Sequence, residues 1–353
     1  MAVTIRDIQL KTVRQPLRSP FKTVLQQVDE REVIVVSVTG DKGHVGSGEC
    51  VAFETPWYTE ETITSCRFVL QQILVPLLAN KTFENPEEVW DLFVAVKGNR
   101  MAKAAIEMAI WDLFAKQQRE PLWKFVGGSQ QPIPAGIVVA ADPLKIEEQV
   151  ALAAHSGYRR VKIKVHPHME VALLNSVVAA YPELQFFADA NGSFQEDSFD
   201  RLMAFDEIGF TLIEQPFGER QWALHAKAKK ELKTKICLDE SIACLEDVQQ
   251  MIDQQAGDIV VLKMSRLGGW TETLKVVRLC QTHSIGMWVG GMIEFGVSKA
   301  HNLALASLPG IVYPGDFSAS QHFWEKDIID PEITVENGTI LLSTQSGIGY
   351  RVV

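Results

Sequence analysis

Residues 159–167 read RRVKIKVHP, and within them Lys162 and Lys164 alternate with valine and isoleucine. Side chains two residues apart in a β-strand point to the same face. The stretch therefore predicts a strand that packs branched apolar residues on one face and directs two ammonium groups from the other. The strands that follow in the sequence indicate which groups these two cations face.

From residue 132 onward, short β-rich runs alternate with helical stretches. The runs are IPAGIVVA (133–140), RVKIKV (160–165), LQFFADA (184–190), TLIEQP (211–216), KICLDE (235–240), DIVVLKM (258–264), GMWVGG (286–291) and a weaker GIVYPG (310–315). Alternation of strand and helix predicts a parallel sheet. Eight runs favour a closed α/β barrel of the TIM type over an open sheet, because the Gly-x-Gly-x-x-Gly turn expected of a doubly wound fold does not occur.

The first part of the chain has a different pattern, in which strands precede helices. Strand patterns at 3–13 and 31–50 are followed by helical patterns at 59–79, 86–97 and 100–118. Separate runs of strands and helices are typical of an α+β unit. We expect an α+β capping domain over residues 1–130, the barrel over 131–315, and a C-terminal segment over 316–353 that packs back on the capping domain.

One charged residue lies at the end of each of five successive runs. In chain order these residues are Lys164, Asp189, Glu214, Asp239 and Lys263, at intervals of 24 or 25 residues. One βα unit of a barrel has about 25–30 residues, and barrel active sites lie at the carboxyl ends of the strands. A single acid at a strand end is usually a helix cap or a surface residue. Five charged residues at one period instead indicate a shared site.

Three carboxylates between two lysines predict a metal site. Converging carboxylates repel one another unless a cation neutralises them, and oxygen ligands favour Mg²⁺, with Mn²⁺ as the alternative. We therefore expect Asp189, Glu214 and Asp239 to bind the metal. His166 and His168 follow a strand and are interpreted as loop residues rather than as zinc ligands.

The lysines at the two ends of the series are the expected catalytic residues. A nearby dication and partial desolvation disfavour an ammonium group, so Lys164 or Lys263 could act as a neutral base near pH 7. Lys162 is expected either to lower the pKa of Lys164 or to contact a substrate carboxylate. Arg266, three residues after Lys263, is either a second cation that favours the neutral lysine or part of a surface salt bridge.

Composition restricts the classes of partner. The chain has 353 residues, a formal net charge of −10 and a pI near 5.4, which argues against nucleic acid or an anionic membrane as a partner. Its five cysteines include no Cys-x-x-Cys pair, which is typical of reduced thiols in a cytoplasm. No apolar run reaches the roughly 18 residues of a membrane span. A cytoplasmic protein is expected.

Motifs at the charged positions carry a family resemblance. They are Lys162-x-Lys164, Asp189-Ala-Asn191-Gly, Glu214-Gln-Pro, Asp239-Glu240-Ser and Lys263. With these residues, and over essentially its whole length, the chain resembles the enolase superfamily in its muconate-lactonizing branch. The resemblance implies a modified, (β/α)7β-like TIM barrel with a capping domain, Mg²⁺ held by the three acids, and a lysine on either face of the substrate.

Further stretches narrow this resemblance. PWYTEET (56–62), LKMSRLGG (262–269) and GGMIEF (290–295) are similar to the family of o-succinylbenzoate synthases and N-acylamino acid (N-succinylamino acid) racemases. The run GMWVGGMIEF lacks the histidine of mandelate racemases, and Asp316-Phe317-Ser318 lacks the second acid of dipeptide epimerases. The resemblance implies Mg²⁺-dependent dehydration of 2-succinyl-6-hydroxy-2,4-cyclohexadiene-1-carboxylate through an enediolate, a step towards menaquinone. The alternative is a dedicated N-acylamino acid racemase.

Two less favoured functions remain. They are a muconate cycloisomerase and, from another class, a Schiff-base aldolase, which would leave the three acids without a role. The expected ligand is a small-molecule carboxylate, enclosed by loops at 16–24 and 49–58 that close over the barrel mouth. A homo-oligomer is also expected. The expected substrate contacts and supporting residues are Lys162, Asn191, Glu240, Arg266, Phe21, Phe53, Ile293 and Phe323.

Overall fold

The structure is a computed structural model that describes residues 2–22, 26–139 and 144–353. Its first elements are β1 (Val3–Lys22), β2 (Gln27–Gly40), β3 (Val45–Cys50), α1 (Ile63–Val69), a π-helical turn (Leu70–Leu74), α2 (Val75–Leu78), β4 (Thr82–Phe83), α3 (Glu88–Phe93), α4 (Arg100–Gln118) and α5 (Leu122–Phe125).

The barrel elements follow. They are β5 (Ile133–Pro134), β6 (Gly136–Val139), α6 (Ile146–His155), β7 (Arg160–Lys164), α7 (Val171–Ala180), β8 (Gln185–Asp189), a 3₁₀ turn (Glu196–Ser198), α8 (Phe199–Phe205), β9 (Leu212–Glu214), α9 (Trp222–Glu231), β10 (Lys235–Leu238), α10 (Leu245–Asp253), β11 (Ile259–Leu262), α11 (Met264–Leu267), α12 (Trp270–Thr282), β12 (Gly286–Val289) and α13 (Gly296–Ala306). The last elements are α14 (Ser320–Phe323), β13 (Ile329–Asp330), β14 (Thr339–Ile340) and β15 (Arg351–Val352).

An antiparallel sheet and a buried helix form the N-terminal unit. Over the described part of the chain this sheet has the order β3-β2-β1-β4, and α4 packs on it. The helix lies so close to β3 that a Cβ atom at Gly46 would be 1.9 Å from the carbonyl oxygen of Ala109, and one at Gly48 would be 2.0 Å from that of Ala105. Glycine is therefore required at both positions for the α+β packing that the sequence pattern predicts.

Seven parallel strands, β6 to β12, lie side by side in chain order within the described residues. The predicted eighth strand forms no ladder, because Pro314 lacks an N–H group and glycines flank the run. Single bridges instead join Ile311 to Met287 at one edge of the sheet and Gly315 to Ala135 at the other. These bridges close the sheet, so the prediction of an α/β barrel is confirmed, with a much reduced eighth strand.

The barrel interior has an apolar layer below a charged one. Buried side chains that fill the apolar layer are Phe187, Leu212, Cys237, Ile259, Val261 and Trp288. Four of them lie two residues before one of the charged residues Asp189, Glu214, Asp239 and Lys263. On each of these strands the apolar and the charged side chain therefore both point into the barrel. The charged groups therefore rest on a packed floor and face the barrel mouth.

Carboxylates of the N-terminal unit bind the ends of two barrel helices. Glu49 of β3 accepts hydrogen bonds at 2.8 Å from the backbone N–H groups of Phe295 and Ser298, at the start of α13. Glu107 of α4 accepts hydrogen bonds from the backbone N–H of Thr271 at 2.9 Å and from its hydroxyl at 2.8 Å, at the start of α12. Acidic groups stabilise helix N-termini, so these contacts fix the N-terminal unit on the barrel.

The C-terminal segment also contacts the N-terminal unit. The backbone N–H of Ile348 donates to Asp112 Oδ1 at 2.7 Å. The Asn337-Gly338 turn forms with positive φ at both residues, and a single antiparallel bridge joins Glu336 to Thr339 across it. The strand after the turn, β14, pairs with β5. The boundaries at 130/131 and 315/316 stay predictions.

The prediction of a loop at 16–24 is wrong for residues 16–22, which the structure describes. Strand β1 continues through Lys22, and Phe21 pairs with Val28 of β2 after a register shift that begins at Pro16. Prolines are tolerated at such an irregularity because no ladder hydrogen bond is lost there. Residues 23 and 24 lie outside the described residues.

The five cysteines are free thiols, as their spacing predicts, and Cys50, Cys66, Cys237 and Cys280 are buried. Among the residues that the structure describes, no helix combines the length and the apolar character needed to cross a bilayer. A cytoplasmic location stays a prediction.

Glu107→Ala should lower the free energy of unfolding by about 2–4 kcal/mol, because it leaves the buried N–H groups of Thr271 and Trp111 without their acceptor. Urea unfolding followed by circular dichroism measures the change. The control is Glu183→Ala, at an exposed acid, which should stay within about 0.5 kcal/mol of the wild type. Equally small changes in both variants would contradict the role given to Glu107.

Candidate active site

The five charged residues of the series end adjacent strands at the carboxyl edge of the barrel. Lys164 pairs in register with Asp189, and Asp189 pairs with Glu214. Asp239 and Lys263 directly follow β10 and β11. All five side chains are buried. The equal spacing in sequence arises because each βα unit returns the chain to the next strand at the same height.

Lys162 lies at the centre of the charged layer. Its Nζ is 3.2 Å from Asp189 Oδ2, 3.1 Å from Glu214 Oε2 and 3.0 Å from Asp316 Oδ2. Burial opposes the charged form, but the carboxylates, Asp316 first, raise the pKa of Lys162 well above its ordinary value. Lys162 is therefore a stable cation that holds three acids together. Its expected influence on Lys164 or on a substrate carboxylate stays a prediction.

Lys164 is oriented by two hydrogen bonds. Its Nζ donates to Asp189 Oδ2 at 2.6 Å and to Asn191 Oδ1 at 2.7 Å. The amide of Asn191 in turn donates to Glu240 Oε1 at 2.8 Å. Burial, followed by repulsion from Asp239, raises the pKa of Glu240 to about 7. Two of the predicted supporting residues thus lie in one chain of contacts that ends at the lysine.

Lys263 lies among Asp239, Tyr58 and Arg266. Its Nζ donates to Asp239 Oδ2 at 2.7 Å and to Tyr58 Oη at 2.5 Å. Arg266 Nη1 donates to Asp239 Oδ1 and to Tyr58 Oη, both at 3.1 Å. Although burial disfavours an ammonium group, the Asp239 carboxylate raises the pKa of Lys263. The surface salt bridge considered for Arg266 is wrong, because its side chain is only 6% exposed.

The three acids have the ligand chemistry that a divalent cation requires. Burial raises the pKa of Glu214, and repulsion from Asp189 and Asp239 adds to that effect. Glu214 Oε2 is buried and accepts no well-aligned hydrogen bond, although the Lys162 ammonium is near it. A buried carboxylate oxygen of this kind, next to two more carboxylates, fits a hard metal ion.

The acids are nevertheless paired with ammonium groups. Within the ranges 2–22, 26–139 and 144–353, no three acidic, histidine or cysteine side chains converge as a formed metal site. Lys164 pairs with Asp189 and Lys263 pairs with Asp239, so the lysines supply the counter-charge. The roles of the three acids as metal ligands stay predictions.

A cavity lies above the charged layer, and it is lined by side chains from both the barrel and the N-terminal unit. The predicted residues that line it are Lys162, Lys164, Asp189, Asn191, Asp239, Glu240, Lys263, Phe21, Phe53, Ile293 and Phe323. Of the predicted site residues, all of which the structure describes, Glu214 and Arg266 do not line the cavity and lie behind its wall.

Aromatic rings from the N-terminal unit cover this cavity. In the 49–58 loop, Phe53 packs against Trp57 with ring centres 4.6 Å apart, and Trp57 packs against Tyr58 at 5.4 Å. Phe21 meets Phe323 edge-on at 6.1 Å. The expected contribution of residues 49–58 to the barrel mouth therefore agrees with the structure, whereas Phe21 reaches the site from a strand.

Tyr58 and Asp316 are site residues that sequence reasoning misses. Tyr58 comes from the N-terminal unit, so the period of the barrel gives no signal for it. Asp316 follows the weak eighth run as Asp239 follows β10, and Asp189 and Glu214 are the last residues of β8 and β9. Its position at a strand end could have identified it.

Comparison with known proteins gives full-length matches. Residues 5–127 match the mandelate racemase / muconate lactonizing enzyme N-terminal domain, and residues 145–353 match the enolase C-terminal domain-like family. A curated o-succinylbenzoate synthase from Bacillus subtilis is 39% identical over 351 residues, which are 99% of this chain and 95% of that protein. An N-succinylamino acid racemase from Thermus thermophilus is 35% identical over 350 residues, which are 99% of this chain and 95% of that protein.

Solved structures agree with these matches. The crystal structure of an enolase superfamily member from Listeria innocua superposes with a TM-score of 0.96 at 36% identity. The match covers 99% of this chain and 95% of that one. The likeness therefore includes both the N-terminal unit and the barrel.

Glu214→Gln should weaken the binding of Mn²⁺ by at least about tenfold, because even the loss of a group that only orients a ligand typically costs 10–100-fold. Isothermal titration calorimetry of the purified protein measures the affinity. Glu240→Gln is the matched control, since Glu240 is also buried at this end of the barrel but is not a predicted ligand. Equal losses in both variants, or none in either, would contradict the assignment of Glu214.

Proposed function

This chain belongs to the enolase superfamily, as a member of the mandelate racemase / muconate lactonizing enzyme family, and from that premise we propose that it is an o-succinylbenzoate synthase. Such an enzyme removes water from 2-succinyl-6-hydroxy-2,4-cyclohexadiene-1-carboxylate and leaves an aromatic ring, a step towards menaquinone. The observation that carries the proposal is the pair Lys164 and Lys263 in one cavity with a series of acids. Full-length similarity to curated synthases supports the choice of reaction.

The proposed cofactor is Mg²⁺, with Mn²⁺ as the alternative, held by Asp189, Glu214 and Asp239. When bound, the metal stabilises the negative charge that develops on the substrate carboxylate as the α-proton leaves. The acids suit this role because they present oxygen atoms in one buried site, and burial together with repulsion from Asp189 and Asp239 disfavours the free carboxylate of Glu214.

Lys164 is the proposed base. Its hydrogen bonds to Asp189 and Asn191 fix the position of Nζ at the end of β7. In its neutral form the amine takes the α-proton of the substrate. The resulting ammonium then gives a proton to the departing hydroxyl, the C–O bond breaks and water leaves. A base placed in this way contributes about 10²–10⁴-fold to the rate.

Lys263 is proposed to stay protonated and to stabilise the developing negative charge from the other side. Strands β7 and β11 are separated by three strands in the sheet, so their lysines approach the cavity from opposite walls of the barrel. Contacts of Lys263 with Asp239 and Tyr58 favour the charged form. The ammonium therefore needs no proton transfer during dehydration.

Racemisation of N-acylamino acids is the second candidate. It is favoured by the same two-sided arrangement, since one lysine can take the α-proton while the other returns a proton to the opposite face. Similarity to a curated N-succinylamino acid racemase supports it. Racemisation needs Lys263 to become neutral in one direction, and the adjacent Arg266 cation would favour that form. A muconate cycloisomerase and a Schiff-base aldolase are less favoured. The aldolase gives the acids no role.

Dehydration and N-succinylamino acid racemisation should be assayed in parallel on the same preparation. We expect dehydration that is lost on chelation and restored by Mg²⁺, and a decrease in kcat of at least about 10²-fold in both Lys164→Met and Lys263→Met. The control, Lys275→Met, removes a half-exposed lysine of α12 that pairs with Glu272 and should keep wild-type rates.

Several outcomes would contradict the proposal. Full activity after chelation would exclude the metal-dependent mechanism, and full activity of Lys164→Met would exclude this lysine as the base. Racemisation without dehydration would select the second candidate. A covalent adduct trapped on Lys263 by borohydride with a carbonyl substrate would favour the aldolase.

A further inference from the structure

Lys299 is a buried cation that lines the active-site cavity and has no part in the chemistry described above. It lies in the first turn of α13, and only 2% of the residue is exposed. Its Nζ donates to the carbonyl oxygen of Ser318 at 3.1 Å and lies 5.9 Å from the ring centre of Phe323. An ammonium group has three donors. Two of them have no acceptor among the described residues.

Nearby acids do not pair directly with Lys299. Glu294, Asp327 and Glu49 interact with it through space, but within the described ranges none forms an ion pair with its Nζ. Their oxygens accept hydrogen bonds from backbone N–H groups around the start of α13. The acids thus stabilise the helix end and leave the ammonium directed at the cavity.

Lys299 differs in this respect from the other lysines of the cavity. Lys162, Lys164 and Lys263 each form an ion pair with a carboxylate at 3.2 Å or less. The cavity wall near Lys299 is largely apolar, with Phe21 packed against Phe323. Lys299 is therefore a desolvated cation that no described carboxylate pairs with, next to a surface suited to methylene groups.

We infer that Lys299 binds the distal carboxylate on the succinyl arm of the substrate and so selects ligands that carry this second acid. The first carboxylate, next to the α-carbon, is used at the charged layer. A second carboxylate would accept charge-assisted hydrogen bonds from the two free donors of Lys299. Since the ammonium is already desolvated, its own desolvation adds little cost when the ligand binds. Phe21 and Phe323 would pack against the chain that joins the two acids.

This inference rests on the proposed function. The synthase substrate and N-succinylamino acids share a succinyl arm that ends in a carboxylate, so one recognition site would serve both reactions. The competing interpretation is that Lys299 only balances the charge of the buried acids around α13. In that case its replacement would change stability without changing the preference among ligands.

The test compares the binding of two ligands to the full-length protein with Mg²⁺ by isothermal titration calorimetry. One ligand is o-succinylbenzoate, and the other is 2-butanoylbenzoate, which lacks the distal carboxylate. The wild type should prefer the diacid. In Lys299→Met the affinity for the diacid should decrease by about tenfold or more, while that for the monoacid is unchanged. Lys299→Arg, which keeps the charge, should retain part of the preference, and Lys275→Met should bind as the wild type does.

Equal losses for both ligands, or a wild type without preference, would overturn the inference. A lower Tm of Lys299→Met with an unchanged preference would assign the lysine to charge balance and would also overturn it. Lys299→Gln replaces the methionine variant if that variant does not fold. If the wild type catalyses dehydration but does not prefer the diacid, the role of Lys299 is wrong and the proposed function stands. If the protein neither turns over the substrate nor binds either ligand, the proposed function is wrong as well.

Discussion

The ion pairs of Lys162 with Asp189, Glu214 and Asp316 are the interaction on which the barrel mouth depends. They join three strand ends to the segment that replaces the eighth strand, which isolated bridges and a backbone hydrogen bond from Asp316 to Val289 connect to its neighbours. Arg160 lies two residues before Lys162 on β7, and its Nη2 is 2.7 Å from Asp316 Oδ1. Breaking a buried pair by removing one partner typically costs about 3–5 kcal/mol. The charges that help to hold the barrel closed thus also belong to the charged layer of the site.

The N-terminal unit completes this site from above. Arg31 is buried, lies 4.1 Å from the ring centre of Phe53 and donates to the backbone carbonyls of Ala52 and Ile293. It therefore connects the aromatic loop of the N-terminal unit to the loop after β12. Tyr58, from the same aromatic loop, contacts Lys263. Elements that precede the barrel in sequence therefore help to enclose the cavity and contact Lys263.

Much of this arrangement follows from the sequence. A period of 24 or 25 residues in charged strand ends reflects the repeating βα unit, so the barrel and its five charged residues are predictable. The ribbon at 16–22 is not, because its prolines and polar residues are typical of a loop and only the pairing of Phe21 with Val28 makes it a strand. Tyr58 is missed since its contact with Lys263 spans 205 residues of sequence. Lys299 is missed because a lysine in a helix pattern predicts a solvent-exposed side chain.

Binding of a divalent cation by Asp189, Glu214 and Asp239 is the step on which the proposed reaction depends. The most direct measurement is a crystal structure of the protein with Mn²⁺ and o-succinylbenzoate, with anomalous diffraction to locate the metal. The account predicts an anomalous peak within about 2.0–2.3 Å of an oxygen atom from each acid, with Lys164 and Lys263 on opposite sides of the ligand. A peak elsewhere, or no peak at saturating Mn²⁺, would contradict this assignment of the three acids.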